Sequence, residues 1–272
     1  MALPEAGAAT PRPFLWRVDG PTPSFLFGTV HSAAPTVRAI APVVFKALDH
    51  CTSFHPEIEL SPEIAAQVAL RLFAATTPDL KTRLPLPLWK RVESAGAQLG
   101  LPAPLLQRLT PGLAALVFAT PVEEDEIGAT VDGQLYAHSQ SRGLVIAALE
   151  SVDEQLDLFA NLPPAQAQAL LAESLDDFET GHVRLAKLLA AYASGDEGRI
   201  SVEIEKEFQD PSVHKLADPL LYRRTAMMLS RAEPALKRGG AFVAVGAAHL
   251  VGPRGLVALL RSRGFKVTRV QP

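Results

Sequence analysis

Two short apolar runs, one near each end of the chain, stop at a glycine and are followed by a histidine. Residues 24–27 (SFLF) lead to Gly28 and His31, and residues 241–245 (AFVAV) lead to Gly246 and His249. A run of this length, bounded by glycine and proline and carrying β-branched residues, predicts a buried strand that enters a tight turn. Each histidine is then expected at the carboxyl end of a strand, the edge of an α/β sheet where ligands usually bind.

Four other segments also show the pattern of strands. Residues 14–18 predict a first strand, joined through Asp19-Gly20-Pro21 to the strand that ends at Gly28. Residues 52–60 predict a strand that carries His55, Glu57 and Glu59 on one side, because alternate residues of a strand share a face. Residues 144–149 form an apolar run with Glu150 at its end, and residues 265–270 predict a last strand.

The remaining segments have apolar residues at helical spacing, with prolines between them. We predict helices over residues 37–48, 64–75, 88–99, 104–109, 112–118, 131–143, 163–192, 202–208, 220–236 and 255–263. The predicted fold is therefore α/β, with a central mixed sheet, helices on both faces and a helical middle region. One domain is expected over residues 14–272, after an Ala/Pro-rich leader at residues 1–13 that is expected to be disordered.

Composition excludes several classes of protein. The chain has 272 residues, a formal net charge of −3 and 20% charged residues, which gives no general attraction to nucleic acid. Its only cysteine, Cys51, is expected to be a core residue and can form no internal disulfide. No segment reaches the roughly 20 apolar residues of a membrane-spanning helix. As written, the chain is predicted to be cytoplasmic, or periplasmic or exported if a signal peptide has been removed.

The polar residues at the predicted strand ends favour metal chemistry. Two imidazoles and a carboxylate are a common ligand set of hydrolytic metal sites, and His31, His249 and Glu57 can supply it. Glu59 or Glu150 could replace Glu57, and Glu150 could equally be an acidic residue at a solvated helix start. Ser32 follows His31, but the chain has no Gly-x-Ser-x-Gly motif, which argues against a serine hydrolase.

These motifs, together with the order of the elements around them, resemble the TraB/PrgY/GumN family, which includes the Tiki metalloproteases. The resemblance rests on residues 25–31 (FLFGTVH), 57–60 (EIEL), 149–150 with Gln155, and 242–267 (FVAVGAAHLVGPRGLVALLRSRGFKV). The chain departs from the family's pattern at Arg224, where the pair Arg-Asn is common, and at Val251, where proline is frequent.

This resemblance implies a fold of the erythromycin esterase/ChaN-like architecture and a metal-dependent peptidase acting on a peptide or protein substrate. It implies manganese or cobalt rather than zinc, with His31 and His249 as ligands. Glu57 would complete the shell or deprotonate the water, Arg223 would steady the substrate or the oxyanion, and Glu150 is a recurrent acidic residue. Two alternatives stay open: a non-catalytic regulatory protein that binds a peptide or ligand, and an esterase-like hydrolase.

Overall fold

The computed structural model describes residues 12–73, 80–119 and 128–271. Residues 1–11 of the expected leader lie outside the described residues. The last two leader residues, Arg12 and Pro13, are described, and their carbonyl oxygens accept hydrogen bonds from the guanidinium of Arg269. No helix in the described ranges is long and apolar enough to cross a membrane.

Six strands form one mixed sheet, with bounds β1 Leu15–Val18, β2 Ser24–Thr29, β3 Ser53–Pro56, β4 Val145–Ile146, β5 Ala241–Gly246 and β6 Val267–Arg269. Their order across the sheet is β4-β3-β5-β2-β1-β6. Strands β4, β3, β5 and β2 are mutually parallel, whereas β1 runs antiparallel to both β2 and β6. The prediction of an α/β fold with a mixed sheet is confirmed.

The helices of the described residues are α1 Pro42–Asp49, α2 Pro62–Phe73, α3 Leu80–Arg83, α4 Leu86–Gln98, α5 Ala103–Leu106, α6 Pro111–Ala119, α7 Val131–Ser141, α8 Val152–Ala160, α9 Pro164–Glu179, α10 Val183–Ala193, α11 Glu197–Lys206, α12 Arg223–Arg238, α13 Ala247–Leu250 and α14 Leu256–Ser262. A 3₁₀ turn, His214–Leu216, and a π-helical turn, Asp218–Tyr222, precede α12.

Alternate residues of the strands pack into different cores. Trp16 and Val243 face a core that also contains residues of α12 and α14, and Phe27 and Phe242 face a second core against α1 and α7. Helices α3 to α6, α8 and α9 enclose a third core of their own. Apolar residues therefore hold the sheet rigidly from both faces, while its carboxyl edge stays free for polar side chains.

Several elements are shorter than the sequence predicts, and prolines and glycines explain most of the differences. Strand β3 ends at Pro56, because proline has no N–H for the ladder. Helix α1 begins only at Pro42, which has a helical φ without needing a partner for its nitrogen. The segment 163–192 is split at Gly181 and His182, both of which have positive φ.

Cys51 is buried, as expected for a core residue. Burial raises the pKa of its thiol to about 12.

Candidate functional site

Four parallel strands deliver the polar residues of the site to one edge of the sheet. Strand β2 leads to His31, β5 to His249 through the single turn of α13, β3 to Glu57 and β4 to Glu150. The pairing of β3 and β4 continues beyond the regular strands, since the Glu150 N–H donates to the Glu57 carbonyl oxygen over 2.7 Å. Segments far apart in sequence thus meet because the carboxyl ends of parallel strands lie together.

Glu57 lies at the centre of this cluster and is 6% exposed. Its Oε1 accepts a hydrogen bond from the Gly246 N–H over 2.6 Å, and its Oε2 accepts one from Arg224 Nη2 over 2.9 Å. Burial alone would raise the pKa of Glu57, but His249, His31, Arg224 and the Gly246 N–H outweigh it and lower that pKa to about 2. The carboxylate therefore stays ionised at neutral pH.

Gly246 allows three side chains to approach the end of β5. A Cβ atom at this position would lie 3.2 Å from Glu57 Oε1, 3.8 Å from His249 Cδ2 and 3.9 Å from His31 Nε2. A side chain here would therefore enter the space that these three residues surround, which is why the strand ends in glycine.

Glu150 is bound by Arg224 and by Gln155. Arg224 Nη2 donates to Glu150 Oε2 over 2.7 Å, its Nε lies 3.1 and 3.2 Å from the two carboxylate oxygens, and Gln155 Nε2 donates to Oε2 over 2.9 Å. Burial alone would lower the pKa of Arg224, but its bonds to Glu150 and Glu57 raise it above the ordinary value. One half-buried guanidinium thus bridges two buried carboxylates.

The hydrogen bond of His249 to Thr225 fixes the tautomer of the ring. The Thr225 hydroxyl donates to the Leu221 carbonyl oxygen over 2.8 Å, so it can only accept from His249 Nδ1, which is 2.7 Å away. Burial lowers the pKa of His249, against the opposing charge of Glu57, so the ring is neutral at pH 7. Its Nε2 is then an unprotonated acceptor 3.8 Å from Glu57 Oε1.

His31 is oriented by Asp132, the second residue of α7. Asp132 Oδ2 accepts a hydrogen bond from His31 Nδ1 over 2.9 Å, because an ionised carboxylate can only accept. The charge of Asp132 is the main cause that raises the pKa of His31 to about 9, with Glu57 contributing in the same direction. This bond directs the other ring nitrogen, Nε2, towards Gly246.

We expect Asp132→Asn to lower the pKa of His31 from about 9 towards its ordinary value, about 6.5. Because the folded-state pKa is raised, the stability that Asp132 provides is full below about pH 6.5 and is lost as the pH rises through about 9. The effect on stability is small, since the His31 side chain is 61% exposed and solvent screens the pair. NMR titration of the His31 ring measures the shift.

Asp157→Asn is the matched control, because Asp157 is exposed and pairs with Arg71 away from the site. It should leave the His31 titration unchanged. A His31 ring that still titrates near pH 9 in the Asp132→Asn protein would contradict the assignment.

The structure places the other candidates outside the cluster. Arg223 is 77% exposed on its side chain and binds Asp218 over 2.6 Å, so it contacts neither Glu57 nor Glu150. Glu59 is exposed and accepts a hydrogen bond from Tyr136. Arg231, on the same helix, binds Glu154 and the Leu149 carbonyl oxygen.

Sequence reasoning missed two residues of the cluster. The sequence marks Arg224 only as a departure from the family's Arg-Asn pair, and no pattern points to Thr225. The π-helical turn before α12 rotates both residues into the site, and no sequence pattern predicts such a turn.

Thr29 pairs with Gly246 at the end of β2. Its buried hydroxyl oxygen has no hydrogen-bond partner among the described residues.

Within the described ranges, no group of three or more His, Cys, Asp and Glu side chains stands in a metal-binding arrangement in this structure. The chemistry of the donor set nevertheless suits one. The rings of His31 and His249 can bind a metal ion through Nε2 when they are neutral, and both lie near the ionised carboxylate of Glu57. Each ring is held through Nδ1 by a hydrogen bond to an outer residue, Asp132 for His31 and Thr225 for His249. Such outer hydrogen bonds are typical of metal-binding histidines.

A family model described as TraB/PrgY/gumN family matches residues 14–269. The chain belongs to this family. No curated protein and no solved structure matches this TraB/PrgY/gumN chain, so the expected esterase-like architecture stays a prediction beyond the α/β fold itself. Both histidine motifs and both buried glutamates of this TraB/PrgY/gumN protein lie within the matched residues.

Proposed function

We propose that this protein is a metal-dependent peptidase, with His31, His249 and Glu57 as the residues that hold the ion. The observation that carries the proposal is the orientation of the two rings. Their Nδ1 atoms bond to Asp132 and Thr225. Nε2 of His249 lies 3.8 Å from Glu57 Oε1, and Nε2 of His31 points towards Gly246, whose N–H donates to the same carboxylate. Neutral nitrogen ligands with one carboxylate leave a divalent ion acidic enough to activate water.

We propose manganese or cobalt over zinc, as the family resemblance implies. A bound ion supplies Lewis acidity, which polarises the scissile carbonyl and lowers the pKa of a water molecule. The hydrogen-bonding of Glu57 suits a ligand that remains charged, since both of its oxygens already accept hydrogen bonds. Its low pKa makes it a poor proton acceptor, because an effective general base titrates near the working pH.

The other residues of the cluster support this arrangement. Arg224 keeps Glu57 and Glu150 in fixed positions and balances their charges, and Gln155 fixes Glu150 further. Arg223 has no part in the proposal, since its exposed guanidinium binds Asp218. The substrate would reach the site from the carboxyl edge of the sheet, where His31 is exposed.

The half-buried guanidinium of Arg224 also favours a second candidate function. Arg224 already provides a cation beside two carboxylates, so the charge of the cluster is partly balanced without a metal ion. In that case the same edge would bind a peptide or another ligand without turnover, as a regulatory protein does.

Cleavage of unstructured peptides by protein loaded with Mn²⁺ or Co²⁺ tests the proposal. We expect cleavage that a chelator abolishes and that falls about 100-fold or more in Glu57→Gln, because the substitution removes the charge of the ligand set. Glu59→Gln is the matched control, since Glu59 is an exposed glutamate two residues away and lies outside the cluster. Equal activity of both variants would contradict the role of Glu57. Binding of peptides without cleavage would favour the second function.

A further inference from the structure

A cavity of about 270 Å³ is lined in part by Val131, the residue before Asp132, and its walls are largely apolar. Its main lining residues come from five parts of the fold: Phe14, Phe27, Val37, Ile40, Val131 and Tyr192. Phe14 and Tyr192 stack with their ring centroids 5.3 Å apart, so the wall they form is aromatic. This volume lies just below the roughly 300–1,000 Å³ of pockets for drug-sized ligands, so it has room for one large apolar side chain.

The cavity is connected to the candidate site through the backbone that carries the site residues. Val131 immediately precedes Asp132 at the start of α7, and Phe27 belongs to the strand that delivers His31. The Tyr192 hydroxyl donates to the Gly28 carbonyl oxygen over 2.8 Å, which fixes this ring against the end of β2. A ligand in the cavity would therefore contact Val131 and Phe27, which precede Asp132 and the end of β2 along the chain.

We propose that the cavity is a specificity subsite that receives one aromatic or large branched aliphatic side chain of the substrate, beside the bond that is cleaved. The size of the cavity, its aromatic wall and the contribution of Val131, the neighbour of Asp132 in the chain, together favour this occupant. Apolar side chains gain by leaving water, and aromatic ones gain further from tilted or stacked contacts with Phe14 and Tyr192. As a substrate subsite this inference rests on the proposed peptidase function, but binding in the cavity can be measured without turnover.

N-acetylphenylalaninamide is the probe, and two-dimensional NMR of the full chain is the measurement. We expect shifts of the amide resonances of Val37, Ile40 and Ala193, and clearly weaker shifts with N-acetylalaninamide at the same concentration. Ala193→Leu adds bulk to the wall and should weaken binding about tenfold or more. Ala186→Leu is the matched control, because Ala186 lies on the same helix, is exposed and does not line the cavity. Ala41→Leu fills the cavity from another element if Ala193→Leu fails to fold.

The outcomes separate this inference from the proposed function. Binding at these residues that both filling variants weaken, together with preferred cleavage of peptides containing a large apolar side chain, supports both. The same binding without any cleavage supports the cavity as a ligand site and overturns its role in peptide hydrolysis. Shifts elsewhere, no difference between the phenylalanine and alanine probes, or unchanged binding in both filling variants overturns the inference, whether or not peptides are cleaved.

Discussion

We expect Arg224→Met to lower the free energy of unfolding by about 3–5 kcal/mol, the usual cost of removing one partner of a buried ion pair. The side chains of Glu57 and Glu150 are 6% and 2% exposed, and that of Arg224 is 16% exposed. Without the guanidinium, two buried carboxylates lie close to each other with no cation between them. Urea unfolding at pH 7 measures the loss.

Arg223→Met is the control. Arg223 is the neighbour of Arg224 in the chain, but its side chain is 77% exposed and pairs with Asp218 at the surface. We expect it to stay within about 0.5 kcal/mol of the wild type. The loss in Arg224→Met should shrink as the pH falls and the carboxylates take up protons, and adding Glu150→Gln should recover part of it. An Arg224→Met protein within about 1 kcal/mol of the wild type would show that the bridge is not needed for stability.

The strands that carry the site could be predicted because their signals are local. A short apolar run before Gly28 and another before Gly246 are strong strand patterns, and both strands occur in the structure. The rule that parallel strands present their carboxyl ends at one edge then brings His31 and His249 together. That step depends on a long-range pairing, β2 with β5, which the family resemblance supplied and the periodicity could not.

The choice between Arg223 and Arg224 could not be made from the sequence. Both lie in the same predicted helix, and a regular α-helix turns adjacent residues to different faces by about 100°. The face that meets the site depends on the π-helical turn Asp218–Tyr222, which shifts the phase of everything after it. A π-helical turn contains one more residue than an α-helical turn, and the spacing of apolar residues in the sequence does not reveal it.

Strand 52–60 shows a different limit. Its alternation predicts His55, Glu57 and Glu59 on one side, but the strand ends at Pro56 and the chain bends. His55 therefore bonds the Ala147 carbonyl oxygen, Glu57 enters the site, and Glu59 contacts Tyr136. The prediction from alternation fails after Pro56, because proline provides no N–H for the hydrogen bonds between neighbouring strands.

His31→Ala and His249→Ala should each weaken the binding of Mn²⁺ by more than about 100-fold. Loss of a residue that only hydrogen-bonds to a metal ligand commonly costs up to roughly 100-fold in affinity, and loss of the ligand itself should cost more. Each removes a nitrogen donor whose orientation is fixed through Nδ1. Affinity in the wild type should rise between pH 7 and pH 9, because His31, with a pKa of about 9 without metal, must lose its proton to become a ligand. His138→Ala is the matched control, since His138 binds Asp49 away from the site.

Calorimetric titration of Mn²⁺, repeated with Co²⁺, into the wild-type protein and these three variants is the measurement to make. We expect one ion per chain in the wild type and in His138→Ala, weak or no binding in the two site variants, and release of about one proton per ion bound at pH 7. No binding to the wild type, or equal binding to all four proteins, would contradict a metal site at His31, His249 and Glu57.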